Sequence, residues 1–235
     1  MREIVLDTET TGLDPNQGHR LVEVGCVELL NRIPTGATFH AYLNPDRDMP
    51  AEAFAIHGLS AEFLKGHKRF HEVVDDFLAF IGDDTPLVIH NAGFDHTFLC
   101  AELKRVERTL IARERLVDTL ALARRKHSAG PYNLDALCGR YGIDNSRRTK
   151  HGALLDAEIL AEVYLELIGG RQAQLGLADD GGQRVTNSDG AIIVRPRPEA
   201  LVPRISDAER AAHREFIATL GENALWTNYV GKSAS

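Results

Sequence analysis

The sequence predicts a mixed α/β fold, a sheet that opens antiparallel, continues with alternating strands and helices, and is covered by helices. Three observations carry that expectation. Up to Leu43 the chain holds three β-rich runs separated by turn residues. From Pro86 onward, short apolar runs alternate with segments of helical period. Gly169-Gly170 then stops a long helix, and the composition changes beyond it.

Taken in order, Ile4-Val5-Leu6 reads as a buried strand that runs into Asp7-Thr8-Glu9, with Gly12 ending it and leaving room for a ligand at the backbone. Leu21 to Leu30 alternates as a second strand and Thr38 to Leu43 as a third, with a turn at Pro34-Thr35-Gly36. Residues 51 to 65 form short helical pieces around His57-Gly58. Phe70, Val73, Val74, Phe77, Leu78 and Ile81 follow a helical period. Pro86 to His90 is a short apolar strand with Asn91-Ala92-Gly93 as its exit turn. A helix from about Phe94 carries Phe98, Leu99 and Leu103. Leu116-Val117-Asp118 is a further strand; Thr119 to His127, Asn133 to Tyr141 and Ala153 to Ile168 are helices.

Residues 1–170 are therefore one domain. From Arg171 to Arg204, Gly, Asp, Asn, Gln and Pro dominate without apolar period, as in a flexible linker. In the remaining segment, 205–235, Ser206-Asp207-Ala208-Glu209 has the form of a capping box. It opens a short helix with Phe216, Ile217 and Leu220 on one side and Gly221 at its end, followed by Leu225-Trp226.

The net charge is -7, and residues from Arg171 onward contain eight Lys/Arg and eight Asp/Glu, so the acidic excess lies in the first domain. Such a domain lacks the basic surface that grips long nucleic acid by its phosphates. If it acts on nucleic acid, it holds a short piece through metals, with a partner supplying the remaining grip. Cys26, Cys100 and Cys138 are an odd set in apolar surroundings without C-x-x-C spacing, which suits reduced thiols and a cytoplasmic location. No apolar run approaches a membrane span, and Met1-Arg2-Glu3 has no signal-peptide character.

Residues two apart on a strand share a face, so Asp7 and Glu9 project two carboxylates from one side of a core strand. Charges held that close raise each other's pKa unless a cation sits between them, and oxygen donors suit Mg²⁺ or Mn²⁺. Asp95 follows a buried strand at the start of a helix, and Asp156 lies early in the last long helix, the places where α/β folds put ligand contacts. His151 stands five residues before Asp156 with Gly152 between them. An imidazole beside metal-bound carboxylates is a natural general base for water.

Asp7-x-Glu9 in Asp-Thr-Glu-Thr-Thr-Gly, Asn91-x-x-x-Asp95 and His151-x-x-x-x-Asp156 resemble the three motifs of the DEDDh 3′–5′ exonucleases. The likeness extends through residues 52–58, 88–92 and 133–138, and is densest in Ile143-Asp144-Asn145-Ser146 and in residues 151–157. It covers residues 1 to about 170. The resemblance implies an RNase H-like fold with two divalent cations, Mg²⁺ or Mn²⁺, held by Asp7, Glu9, Asp95 and Asp156. His151 is then the base, and a nucleoside 5′-monophosphate is cut from a DNA 3′ end in proofreading for a replicative polymerase. It also implies that Leu13, Glu52, His57 and Phe94 join Asp7, Glu9 and Asp156 in meeting the terminal nucleotide.

Gln172-x-x-Leu175-x-Leu177, just past the domain, resembles the peptides by which bacterial replication proteins dock on the sliding clamp. The same family likeness implies that the C-terminal segment binds the polymerase catalytic subunit, a tether that keeps the nuclease near the primer end. An exonuclease trimming RNA 3′ ends has the same active residues, and a pure connector between polymerase and clamp is the alternative of another class. The clamp-like peptide and the tail favour DNA, and His151 has no use in a scaffold. An Asp-nucleophile phosphatase also opens with strand-Asp-x-acid but needs a catalytic Lys, and no Lys stands in a convincing place.

Overall fold

Strand β1 (Arg2–Thr10) is the axis of the sheet. Its apolar side chains alternate into two cores, as the period of two requires. Ile4 and Leu6 pack with Phe77, Ile81, Phe98 and Leu99 on one face, while Val5 packs with Val88, Leu137, Leu160 and Val163 on the other. The computed structural model describes residues 1–169 and 205–220. The chain divides into two compact units, Met1–Leu175 and Gly176–Ser235, each of which is described by itself.

In the first unit β1 pairs antiparallel with β2 (Leu21–Leu30), which pairs antiparallel with β3 (Ile33–Tyr42). On its other side β1 pairs parallel with β4 (Leu87–Ile89), and β4 with β5 (Leu116–Asp118). The order is β3-β2-β1-β4-β5, so the sheet is mixed as expected. Helices α1 (Ala51–His57), α2 (Ala61–Leu64) and α3 (Val74–Ile81), the last preceded by a 3-10 turn at Phe70–Glu72, fill the long crossover to β4. Helix α4 (Ala92–Arg105) follows β4; α5 (Thr119–Lys126), α6 (Leu134–Tyr141) and α7 (Ala153–Leu167) follow β5.

One turn lies elsewhere than the sequence suggests. The β2–β3 hairpin turns at Asn31 and Arg32, with φ of 50° and 68°, the backbone that a two-residue hairpin demands. Pro34-Thr35-Gly36 is inside β3. An edge strand tolerates a proline, and Pro34 pairs with Leu29 beside a register shift. Helix α4 begins two residues before the expected Phe94, because Asn91 takes the left-handed turn (φ 60°) and donates its N–H to Asp118 Oδ1 at 3.1 Å.

Two polar ties, one part-buried and one buried, fix the helices that carry the candidate acids. Arg20 grips Glu102 of α4 with two bonds of 2.5 and 2.8 Å, a forked pair stronger than a neutral hydrogen bond. Tyr164 of α7 donates its hydroxyl to Glu3 of β1 at 2.7 Å.

In the second unit, α8 (Asp207–Thr219) carries the expected capping box: Glu209 N–H donates to Ser206 Oγ (3.3 Å), and Ser206 N–H donates to Glu209 Oε2 (2.8 Å). Phe216 and Leu220 are exposed and Ile217 is buried. The linker reading of 171–204, the motif at Gln172, Leu175 and Leu177, Gly221 and Leu225-Trp226 lie outside the described residues.

Candidate active site

The end of β1 sends Asp7 and Glu9 toward α7. Asp7 stands across the ladder from Gly25 of β2, and that glycine lets α7 close on the sheet. A Cβ there would lie 2.2 Å from the Leu154 nitrogen, a clash with backbone. Asp156, in the first turn of α7, is thereby brought beside the strand. It is 2% exposed, and its N–H bonds Gly152 O at 2.8 Å. Asp95 arrives from the first turn of α4, where its carboxylate accepts the Thr8 hydroxyl at 2.7 Å.

Burial raises the carboxyls of Asp7, Glu9 and Asp95. Burial, then Asp95, Glu9 and Asp156, hold Asp7 well above the usual carboxylate range. Burial, followed by Asp156, Glu23 and Asp95, pushes Glu9 to about 8. Asp95 rises to about 7 through burial, against the hydrogen bond from Thr8. Such acids ionise readily only when a cation takes the place of the proton.

His151 sits on the loop before α7, about half exposed, with Nδ1 3.5 Å from Asp156 Oδ2. Its N–H donates to Ile56 O at 3.3 Å, and Lys150 Nζ donates to Ala55 O at 2.6 Å, so the loop is fastened to α1. Burial first, and then the Arg148 guanidinium, hold the imidazole below its ordinary value. One donor atom each of Glu9, His151 and Asp156 lies within 4.8 Å of the other two, a spacing that suits a metal ion.

A cavity of about 600 Å³ opens on this wall. Asp7, Glu9, Asp95 and His151 line it together with Leu13, Glu52, His57 and Phe94, so the residues expected to meet substrate share one space with those expected to act on it. Leu13 is 84% exposed at the rim. His57 is buried; its Nδ1 accepts the Leu59 N–H at 3.0 Å, which leaves the proton on Nε2, and that nitrogen has no well-formed hydrogen bond. Gly12 lines the same cavity, and a Cβ there would lie 2.3 Å from the His19 ring, so the glycine also makes room for a side chain of the protein itself.

Asp156 is absent from the cavity lining and is held by a residue that sequence reasoning missed. Arg148 Nε and Nη2 bond the two Asp156 oxygens at 2.5 and 2.7 Å, Nη2 reaches His151 Nδ1 at 2.8 Å, and Nη1 bonds Asp135 Oδ2 at 2.9 Å. Thr8 and Gly25 were likewise missed. Gly25 is an unremarked break in an apolar strand, and the motif likeness through Ile143 to Ser146 stops short of Arg148.

Fold and site together define an RNase H-like nuclease. The profile of the exonuclease family matches residues 4–164, and the chain belongs to that family. The DNA polymerase III subunit epsilon of Rickettsia felis is 47% identical over 227 residues, covering 95% of this chain and 99% of that protein. That of Escherichia coli K12 is 43% identical over 237 residues, covering 96% and 97%. Among solved structures, exonuclease X in complex with 5′-overhanging duplex DNA superposes with a TM-score of 0.57 at 23% identity, over 71% of this chain and 91% of that one. The nuclease domain of 3′hExo, a DEDDh family member bound to rAMP, gives 0.62 at 15% identity over 72% and 92%. These two likenesses establish the fold. The chain is an exonuclease, a hydrolase of a metal-dependent family. No described helix is long and apolar enough to cross a membrane.

Proposed function

We propose that the site removes nucleoside 5′-monophosphates from DNA 3′ ends, with Asp7, Glu9, Asp95 and Asp156 as metal ligands and His151 as general base. The observation that carries this reading is the convergence of Glu9, Asp156 and His151 within 4.8 Å, with Glu9 and His151 on the cavity wall that Asp7 and Asp95 also line. The donor set fits hard divalent cations, because mutually repelling carboxylate oxygens are the ligands that Mg²⁺ and Mn²⁺ take. Two such ions, when bound, supply the charge that stabilises the attacking and leaving oxygens of an in-line displacement.

The chain's own groups do the rest. Burial disfavours the protonated form of His151, so a neutral ring nitrogen takes the proton of the attacking water. Leu13 and Phe94 pack on the terminal base or sugar. His57 donates from Nε2, and Glu52, at the start of α1, accepts from the same nucleotide. The cavity admits an unpaired end. Unpairing costs a few kcal/mol and least for a mispaired base, so wrong ends reach the carboxylates more often and no reading of the mismatch is needed.

The epsilon subunits to which the chain is similar along nearly their whole length support DNA as substrate and DNA polymerase III as assembly. In this reading, residues 205–235 bind the polymerase catalytic subunit, with the exposed Phe216 of α8 among the contacts. Gln172, Leu175 and Leu177 dock weakly on the sliding clamp, and residues 171–204 are the flexible span between.

The test is digestion of a 5′-labelled primer with a 3′ mismatch, in Mg²⁺ and in EDTA, beside single-stranded RNA of the same length. The expected result is stepwise shortening of DNA from the 3′ end that EDTA stops and that exceeds the cleavage of RNA. EDTA-resistant cleavage refutes the metal ligands, and preference for RNA refutes the substrate.

A further inference from the structure

The Arg148 side chain is 7% exposed, forks onto both oxygens of Asp156, touches His151 and keeps one nitrogen on Asp135. We infer that Arg148 is a resident counter-cation, holding the charge position beside Asp156 until a divalent metal displaces it, so that it sets the metal affinity of the site. The inference rests on the reading of Asp156 as a metal ligand.

Three observations support it. The site gathers Asp7, Glu9, Asp95 and Asp156, and Arg148 is the one Lys or Arg that bonds any of them among the described residues. Asp156, which it grips, is absent from the cavity that Asp7, Glu9, Asp95 and His151 line. Its Nη2 also lies against both His151 and Asp156, two of the three groups whose spacing suits an ion. A guanidinium and a divalent ion on one buried carboxylate repel each other strongly, so the two compete for it. Asp135 is 58% exposed and already bonded to Nη1, and it gives the displaced guanidinium a partner outside the ligand set. The pivot is short, since the loop itself stays fastened to α1.

Arg148 is thus a positioning residue. With it in place, metal binds only to the fraction of molecules in which the fork has opened, and the apparent affinity is reduced by that fraction. The test is calorimetric titration of MnCl₂ into the full-length wild type, Arg148→Gln, Arg148→Lys and Asp156→Asn, with the Mn²⁺-induced shift of the melting temperature as a second readout. Arg148→Gln should bind Mn²⁺ about tenfold more tightly than wild type, with a larger melting shift, and Arg148→Lys, which keeps the charge but not the fork, should lie between. Asp156→Asn should bind far more weakly than any of them. Unchanged or weaker binding by Arg148→Gln, with wild type and Asp156→Asn as expected, overturns the role of Arg148 alone. Wild-type affinity in Asp156→Asn overturns the ligand assignment and this inference with it.

Discussion

Gly25 stands directly across the β1–β2 ladder from Asp7, and its missing side chain is the space into which the first turn of α7 settles. One position in β2 therefore controls how near Asp156 comes to Asp7. Gly25→Ala should push α7 outward, since the clash is with backbone. We predict a loss of about 1–3 kcal/mol in stability and a larger proportional loss of nuclease activity, measured by denaturant unfolding beside primer digestion. Full activity in Gly25→Ala would mean that α7 is not held by this contact.

The metal-free protein should lose stability as pH rises. Glu9 and Asp95 are raised to about 8 and about 7 from ordinary values of 4.5 and 3.8. A carboxyl whose folded pKa exceeds its unfolded one binds its proton more tightly when folded, so its stabilising contribution is complete below the unfolded value and disappears as pH climbs through the folded one. In EDTA the melting temperature should fall by on the order of 5 °C between pH 6 and pH 9, and Mn²⁺ should reverse most of the fall. A flat profile would show that Glu9 and Asp95 are not held above their ordinary values in the folded protein.

Asp7→Asn should abolish turnover by removing a ligand and yet raise the melting temperature in EDTA at pH 8, because it removes a carboxyl whose ionisation is opposed by burial first and then by Asp95 and Glu9. Loss of activity accompanied by loss of stability would place Asp7 in the framework of the fold instead.

His151→Ala should lower the rate about 10²–10⁴-fold, the range of a lost general base. Oligonucleotide affinity should change little, because His151 stands at the cavity wall with its side chain about half exposed. Single-turnover rates and a binding titration separate the two effects; a mutant fully active at neutral pH would remove His151 from the chemistry.

A truncation ending at Gly170 should keep hydrolysis and lose binding to the polymerase subunit. Replacing Gln172, Leu175 and Leu177 together by Ala should weaken clamp binding alone. Both are read by gel filtration and surface binding, and loss of hydrolysis in the truncation would show that the tail serves the nuclease domain itself.

Local chemistry made much of this legible. The period of two put Asp7 and Glu9 on one face whatever the rest of the chain did, and the helix starts at Asp95 and Asp156 followed from breaks in apolar period. What escaped depends on contacts between distant segments. Gly25 means nothing until α7 is laid over β2, and Arg148 reads as a surface arginine until its loop folds beside Asp156. Pro34-Thr35-Gly36 looked like a turn because its residues favour turns, but the hairpin chose Asn31 and Arg32, and the sheet edge accommodated the proline.

The most direct test of the account is an anomalous difference map from a crystal soaked in Mn²⁺. The carboxylates of Asp7, Glu9 and Asp156 should enclose Mn²⁺ peaks, with Asp95 beside them and the Arg148 guanidinium swung away. A map with no peak among these four acids, at an Mn²⁺ concentration that supports hydrolysis in solution, would contradict it.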